Sequence, residues 1–351
     1  MSKFLSEKLS ALAPYTPGEQ PQDRKYIKLN TNESPFPPSQ KAIDRAREEA
    51  ERLMLYSDPT LKSLIEALAK EYGVKEECVI ATNGSDEVLN FAFMAYCERE
   101  GAVFPDITYG FYEVFAQING VKSEIIPLKD DFTIDVEGLK RAKGTIFLAN
   151  PNAPTGIALP LSTVEEIVAS NKERVVVVDE AYIDFGGESA ISLIDKYDNL
   201  LVTQTFSKSR SMAGARLGMG FASPSIINDL NRIRYSTNPY NVNKMTMSAG
   251  VGALEDREYF IKNCNTVIKN RDNFTKKLKE MGFEVTPSVA NFVFAKSDKI
   301  SGEDLYKRLK ERGILVRHFT KERIKDYNRI TIGSEEDMNA LATAIKEILE
   351  K

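Results

Sequence analysis

The run Val175 to Val178, four β-branched residues in a row ahead of Asp179, constrains this chain more than any other stretch. A strand with one wet face alternates apolar and polar residues, whereas an unbroken apolar run suits a strand buried on both faces, as in sheets covered by helices on either side. The segment Leu200 to Phe206 also suits a buried strand, and Ala102 to Phe104 and Thr145 to Ala149 add shorter apolar strands. From near Leu61 to about Phe221 such strands alternate with helical patterns. The expected fold class is therefore α/β, with a mainly parallel sheet between helices.

At 351 residues the chain is long enough for two domains. The first thirty residues, with Pro14, Pro17 and Pro21, read as an arm that joins the smaller domain; residues 31–250 form the large domain and 251–351 the small one. A Pro-rich loop, Asn32 to Pro38, leads to a helix near Gln40 to Leu53. Asp58 and Pro59 supply an N-cap and a first-turn proline for the helix Leu61 to Tyr72, which Gly73 stops. A long helical pattern from Met245 to Met281, broken near Asp256, precedes strands at Asn291 to Ala295, Ile314 to His318 and Arg329 to Ile332. Helices at Glu303 to Arg312 and Glu335 to Leu349 interleave with them, so this end reads as α+β.

Open α/β sheets bind ligands at the carboxyl ends of their strands, and the residues found there have a common chemistry. Lys208 follows the strand Leu200 to Phe206, with Ser207 before it and Arg216 eight residues later. That is how a pyridoxal-phosphate enzyme presents its Schiff-base lysine, with Ser207 and Arg216 facing a phosphate. Asp179 ends the valine strand, where a fixed carboxylate would keep a pyridine nitrogen protonated, and Tyr182 stands three residues on, in reach of a phenolic oxygen. Gly84, Ser85 and Asp86 open a helix after the strand that starts at Cys78, and a helix start offers free N–H groups to an anion. Tyr109, in Thr108-Tyr109-Gly110, offers an aromatic face to the same ring. Each feature has an ordinary reading as well: a solvated Ser-Lys loop, a strand-end acid, an N-cap, a packed tyrosine.

Together with NPNAPTG at 150–156, the ordered motifs SDE, TYGFY, DEAY, SKSRSMAGAR and RITIG resemble the class I and II aminotransferases of pyridoxal-phosphate fold type I. The resemblance runs from Tyr15 and Asn30-Thr31-Asn32-Glu33 to Arg329, and it is strongest to members acting on L-histidinol phosphate, largely through the PYNVN run at 239–243. It implies a large domain with a mainly parallel sheet, a small α+β domain, and the cofactor pyridoxal 5'-phosphate. Lys208 would carry the cofactor as an imine and move the proton, Asp179 would bind the pyridine nitrogen, Tyr182 the phenolic oxygen, and Tyr109 would stack on the ring. Ser85, Ser207 and Arg216, with backbone N–H groups near Gly84 and Ser85, would hold the phosphate, and Asp86 is counted with the cofactor-binding residues. Tyr56 matches a tyrosine that reaches the neighbouring subunit's cofactor, which implies a homodimer. Most relatives have Asn directly before Pro-Thr-Gly; this chain has Ala153, and Asn152 is the expected replacement. Arg329 matches the arginine that grips a substrate carboxylate, and Arg317 one placed around a substrate phosphate. Tyr15, Asn32, Tyr240 and Asn241 match positions lining the substrate pocket.

The implied reaction exchanges L-histidinol phosphate and 2-oxoglutarate with imidazole-acetol phosphate and glutamate, as in histidine biosynthesis. An aromatic-amino-acid aminotransferase and a phosphothreonine-type decarboxylase share the cofactor motifs, and a non-catalytic sensor on the same fold is a remote alternative. A formal charge of −4 disfavours nucleic acid or an anionic membrane as partner. Cys78, Cys97 and Cys264 are scattered and the chain has one histidine, His318, so no metal site is expected and reduced thiols in a cytoplasm are. No targeting segment and no membrane span are expected.

Overall fold

The computed structural model describes residues 2–13 and 15–350. Its largest sheet has seven strands in the spatial order Val79–Thr82, Gly218–Ala222, Leu200–Thr205, Val176–Asp179, Thr145–Ala149, Ala102–Pro105 and Ser123–Ile126. All neighbours run parallel except Gly218–Ala222, which is antiparallel to both of its partners. The period of two is visible in which core each residue enters. Ile146, Leu148, Val176, Val178, Leu200 and Val202 pack into one apolar cluster, and Phe147, Val177 and Leu201 into another on the opposite face. Both faces are dry, which is why these strands carry no alternating polar residues.

Register decides what stands at the rim. Ala149 pairs with Asp179 and Asp179 with Thr203, while Gly218 lies opposite both Thr82 and Thr205. The turns that follow Thr82, Asp179 and Thr205 therefore emerge side by side.

The remaining strands form two smaller sheets. One has the antiparallel order Arg317–His318, Asn328–Thr331, Phe292–Ser297, Phe283–Val285; the other is the parallel pair Ile27–Lys28 with Ile314–Leu315. The stretch Ile314 to His318, expected as one strand, thus serves two sheets, with buried Val316 at the changeover. A separate apolar cluster, which includes Phe292, Leu305, Ile330 and Leu341, binds this region together. The long helical pattern breaks where expected, into Lys244–Leu254 and Arg257–Glu280, and the last helix is Glu335–Leu349. Among the described residues no helix is long and apolar enough to cross a membrane.

One helix start differs from expectation. The helix Lys62–Tyr72 has Leu61, not Asp58, at its N-cap position, with φ of 53°. Leu61 is buried and accepts a left-handed backbone to stay in the core. Asp58 instead caps from a distance, its carboxylate accepting from the N–H groups of Thr60 at 2.9 Å and Lys62 at 3.0 Å. Asp58→Ala removes both acceptors from a strained turn, so it is expected to lower stability by about 1 kcal/mol, measured by urea unfolding.

Candidate active site

A single cavity at the sheet's carboxyl rim is lined by Ser85, Asp86, Tyr109, Asp179, Tyr182, Ser207, Lys208 and Arg216. These residues come from four separate turns. The loop after Thr205 is closed on itself, since the Phe206 N–H donates to Leu217 O and the Met212 N–H to Phe206 O, both at 3.0 Å. Two partly buried contacts clamp it: Ser209 donates to Asp184, and Arg210 pairs with Glu71 at 3.2 Å while stacking over Phe260. Lys208, between these anchors, extends to the backbone carbonyl of Thr31 at 3.4 Å.

The rim beside it is rich in donors. Gly84 caps the helix Ser85–Tyr96 with φ of 81°, and a Cβ there would approach Arg216 Nη2 to 2.5 Å. Glycine is thus required twice, for its backbone and for the guanidinium that lies against it. Arg216 also donates to Ser207 Oγ at 3.4 Å and contacts Asp86 at 3.3 Å, and Asp86 accepts from the Tyr109 hydroxyl at 2.7 Å.

Asp179 is buried and held at both oxygens, by the Tyr112 hydroxyl at 3.0 Å and the Thr203 hydroxyl at 3.3 Å. Burial pushes its carboxyl up to about 6, against the pull of these donors. Tyr112 and Thr203 escaped the sequence reading. Tyr112 lies one helical turn from Tyr109, a spacing that was available, but Thr203 is identified only by the strand register that sets it beside Asp179. Glu33 and Thr205 also line the cavity and were likewise not singled out.

Several expected residues are elsewhere. Asn152 does not line the cavity: its amide donates to Ile107 O at 3.0 Å and to Thr155 Oγ1, and its Oδ1 accepts from Thr108. The position facing the cavity is Ala153, so the replacement contact is not made by Asn152. Asn241 is likewise committed, donating to Glu87 at 2.5 Å and accepting from Arg234. Asn32 lies behind the wall, bonded to the Tyr182 hydroxyl at 2.9 Å. Tyr240 does not line the cavity of its own chain; it stacks on Tyr56 at the surface, with ring centroids 4.5 Å apart. Tyr15 packs on Phe111 at 4.3 Å, beside Gly110.

Arg317 and Arg329 face each other across an antiparallel pair. Like charges so placed repel, and among the described residues neither has a close carboxylate bond: Arg317 donates to the carbonyls of Thr16 and Pro17, and Arg329 to that of Asn30. The Arg329 Nε is buried without a partner. Burial, and then the neighbouring Arg317, hold the Arg329 guanidinium below its ordinary range, although the Tyr182 and Tyr15 hydroxyls oppose them. Neither arginine lines the Lys208 cavity itself, but two guanidiniums so placed have the chemistry to receive an anion. No group of three or more His, Cys, Asp or Glu side chains arranged to hold a metal occurs among the described residues.

A sheet-edge cavity with a lysine, a buried acid and an anion-binding turn defines an enzyme of amino-group chemistry, and comparison with known proteins agrees. The pattern of the family "Aminotransferase class I and II" matches residues 24–345, and the chain belongs to that family. More narrowly, it is similar over its whole length to histidinol-phosphate aminotransferases. It is 48% identical to that of Brachyspira hyodysenteriae, with all of both chains covered, and 45% identical to that of Clostridium acetobutylicum, covering 99% of this chain and all of the other. The histidinol-phosphate aminotransferase of Sinorhizobium meliloti, solved in complex with pyridoxal-5'-phosphate, shares the fold: TM-score 0.91 at 23% identity, over 100% of this chain and 98% of that one.

Beneath the cavity Glu180, next to Asp179, points the other way and accepts from Ser189, the Ala190 N–H and Gln204. Burial raises its carboxyl from 4.5 to about 7. The folded chain therefore keeps a proton that the unfolded chain releases above pH 4.5, and the stability this contributes is lost as pH rises through about 7. Glu180→Gln is expected to flatten that decline by on the order of 3 kcal/mol between pH 4.5 and 8. Urea unfolding of both proteins across that range checks it; an unchanged slope would show that Glu180 titrates normally.

Proposed function

We propose that this enzyme transfers the amino group between L-histidinol phosphate and 2-oxoglutarate, using pyridoxal phosphate held in the Lys208 cavity. The observation that carries the substrate reading is the opposed pair Arg317 and Arg329. A guanidinium fork meets a carboxylate or a phosphomonoester with parallel hydrogen bonds, so one receptor serves both substrates. A phosphomonoester carries nearly two negative charges at neutral pH, which suits two guanidiniums, whereas the carboxylate of an aromatic amino acid carries one.

The residues present fit the cofactor. A Cβ on Gly218 would lie 2.0 Å from the Ser85 N atom, and one on Gly84 would strike Arg216, so the two glycines let the helix start and Arg216 pack together beside Ser207, where their donors would meet an anion. Ser85, Ser207 and Arg216 would hold the phosphate, together with N–H groups at the helix start. Asp179 would face the pyridine nitrogen, Tyr109 the ring, and Tyr182 the phenolic oxygen. When bound, pyridoxal phosphate supplies an aldehyde for amines and an electron-withdrawing ring that makes the substrate's Cα proton labile.

What the chain's own groups do follows from their settings. Asp179, whose charge is disfavoured in a dry site, would be stabilised as the carboxylate by a cationic N–H facing it, and Tyr112 and Thr203 keep it aimed. Lys208 would be the base that takes the Cα proton and returns it two atoms away, beyond the nitrogen, since its flexible stem spans both places. Arg329 and Arg317 orient the substrate so that this bond stands near the lysine. In this reading residues 31–250 form the cofactor-binding domain, and 251–351 with the arm form the small one. The pairing of Ile27–Lys28 with Ile314–Leu315 supports the arm's membership.

We also infer a cytoplasmic homodimer. Leu53, Met54, Leu55 and Tyr56 form an exposed apolar run, with Tyr56 80% and Met54 81% exposed, and water is a poor partner for such a surface. In a dimer Tyr56 would reach the other subunit's cofactor phosphate. The three buried, unpaired cysteines are in keeping with a reducing compartment.

The test is a half-reaction with purified holoenzyme, following the cofactor's spectrum on addition of L-histidinol phosphate, phenylalanine, tyrosine or phosphothreonine. Rapid conversion by L-histidinol phosphate alone is expected; conversion by phenylalanine or tyrosine at the same rate would select the aromatic enzyme. Borohydride reduction should label Lys208, and Lys208→Ala should bind the cofactor without that label. Arg329→Ala should weaken both half-reactions, whereas Arg317→Ala should harm L-histidinol phosphate more than glutamate, by roughly 3 to 5 kcal/mol if a desolvated anion loses its partner.

A further inference from the structure

We propose that Asn32 and Thr331 are positioning residues that fix the Tyr182 hydroxyl as a donor into the cavity, in place of the side chain that Ala153 does not provide. The proposal rests on the reading that pyridoxal phosphate occupies the cavity.

The hydrogen bonds leave little freedom. Asn32 Nδ2 donates to the Tyr182 hydroxyl oxygen at 2.9 Å. An amide nitrogen cannot accept, so the Tyr182 proton must be directed elsewhere, and Tyr182 lines the cavity. The orientation of the Asn32 amide is itself set. Its Oδ1 accepts from Thr331 Oγ1 at 3.0 Å, and the same Oγ1 accepts from the Asn32 backbone N–H at 2.9 Å. Asn291 Nδ2 donates to Asn32 O at 3.0 Å. Asn32, Thr331 and Asn291 are all buried, so no water competes for these bonds. Asn32 has φ of 56°, in the left-handed region that asparagine tolerates better than most residues.

The surroundings explain why one hydroxyl must suffice. Ala153 brings only a methyl group to the cavity, and the Asn152 amide is spent on Ile107 and Thr155. Lys208, 5.8 Å from the ring centroid, and Arg329 act on Tyr182 without accepting a hydrogen bond, and the carboxylates that line the same cavity accept from other donors: Glu33 from Lys28 and Thr31, Asp86 from Tyr109 and Arg216, and Asp179 from Tyr112 and Thr203. Phe292 closes the ring's edge at 5.1 Å. Thr331 also sits two residues from Arg329 on the strand Asn328–Thr331, so the strand that carries an anion-binding arginine also holds the chain of bonds that aims Tyr182.

The experiment is a pH titration of the visible spectrum of the lysine-bound cofactor in the holoenzyme. A donor to the cofactor's phenolic oxygen favours the form whose oxygen is anionic and whose imine is unprotonated, so weakening that donor raises the proton affinity of the chromophore. Thr331→Val, which keeps shape and removes the hydroxyl, and Asn32→Gly, which keeps the left-handed backbone and removes the amide, should each raise it about fivefold. Thr331→Ser should restore the wild-type titration, which separates hydrogen bonding from packing. In a Tyr182→Phe background Thr331→Val should add no further shift. The proposal is overturned if both substitutions leave the titration unchanged, or if Thr331→Val shifts it equally without the Tyr182 hydroxyl. A wild type that forms no lysine-bound chromophore defeats the cofactor reading itself, and the proposal with it.

Discussion

The cavity depends on a contact in which a side chain is impossible. Gly218 begins the one antiparallel strand of the main sheet and lies between Thr82 and Thr205, so close to the next helix that a Cβ would come within 2.0 Å of the Ser85 N atom. Because nothing protrudes there, the start of the helix Ser85–Tyr96 can sit against the loop that carries Ser207 and Lys208. Arg216, two residues before Gly218, then lies against Gly84. A substitution at either glycine would part the turn from the loop, and the donors of the rim would no longer converge.

Around this cradle the protein tolerates local electrostatic conflict. Asp179 is buried without a cation, and Arg317 stands opposite Arg329. Each arrangement weakens the ligand-free fold and becomes favourable when a charge of opposite sign arrives, which is the behaviour expected of a binding site rather than of a structural core. The supporting contacts are of a different kind. Tyr112 and Thr203 are buried and paired, Ser209 with Asp184 and Arg210 with Glu71 are paired and partly buried, and together they hold the conflicted groups in place. Below them Glu180 is satisfied by three donors yet keeps a raised proton affinity because it is dry.

Asparagines show how far sequence reasoning reached at the site. Lys208, Asp179, Tyr182, Ser85, Ser207 and Arg216 are placed by what strand ends and helix starts do locally, and all of them line one cavity. Asn32, Asn152 and Asn241 were expected to touch ligands, and each instead bonds to protein. A short amide looks the same in sequence whether it faces a ligand or a neighbour. The partner that decides between the two is a residue such as Thr331, far along the chain.

Local physics was enough for the elements. The valine run fits a strand with two dry faces, and Val176–Asp179 is one; a break near Asp256 divides the long helical pattern, and Glu335 to Leu349 reads directly as a helix. The sequence alone also determined which chemistry gathers at the sheet's edge, since the strand ends carry the acid and the lysine. Tertiary structure decided the rest: the split of Ile314 to His318 between two sheets, the αL start at Leu61, the confrontation of Arg317 with Arg329, and the donors Tyr112 and Thr203 behind Asp179. The reason is the same in each case. Propensity and periodicity act over one or two turns of chain, whereas register and hydrogen-bond partners are set by segments that meet only when the hydrophobic cores close.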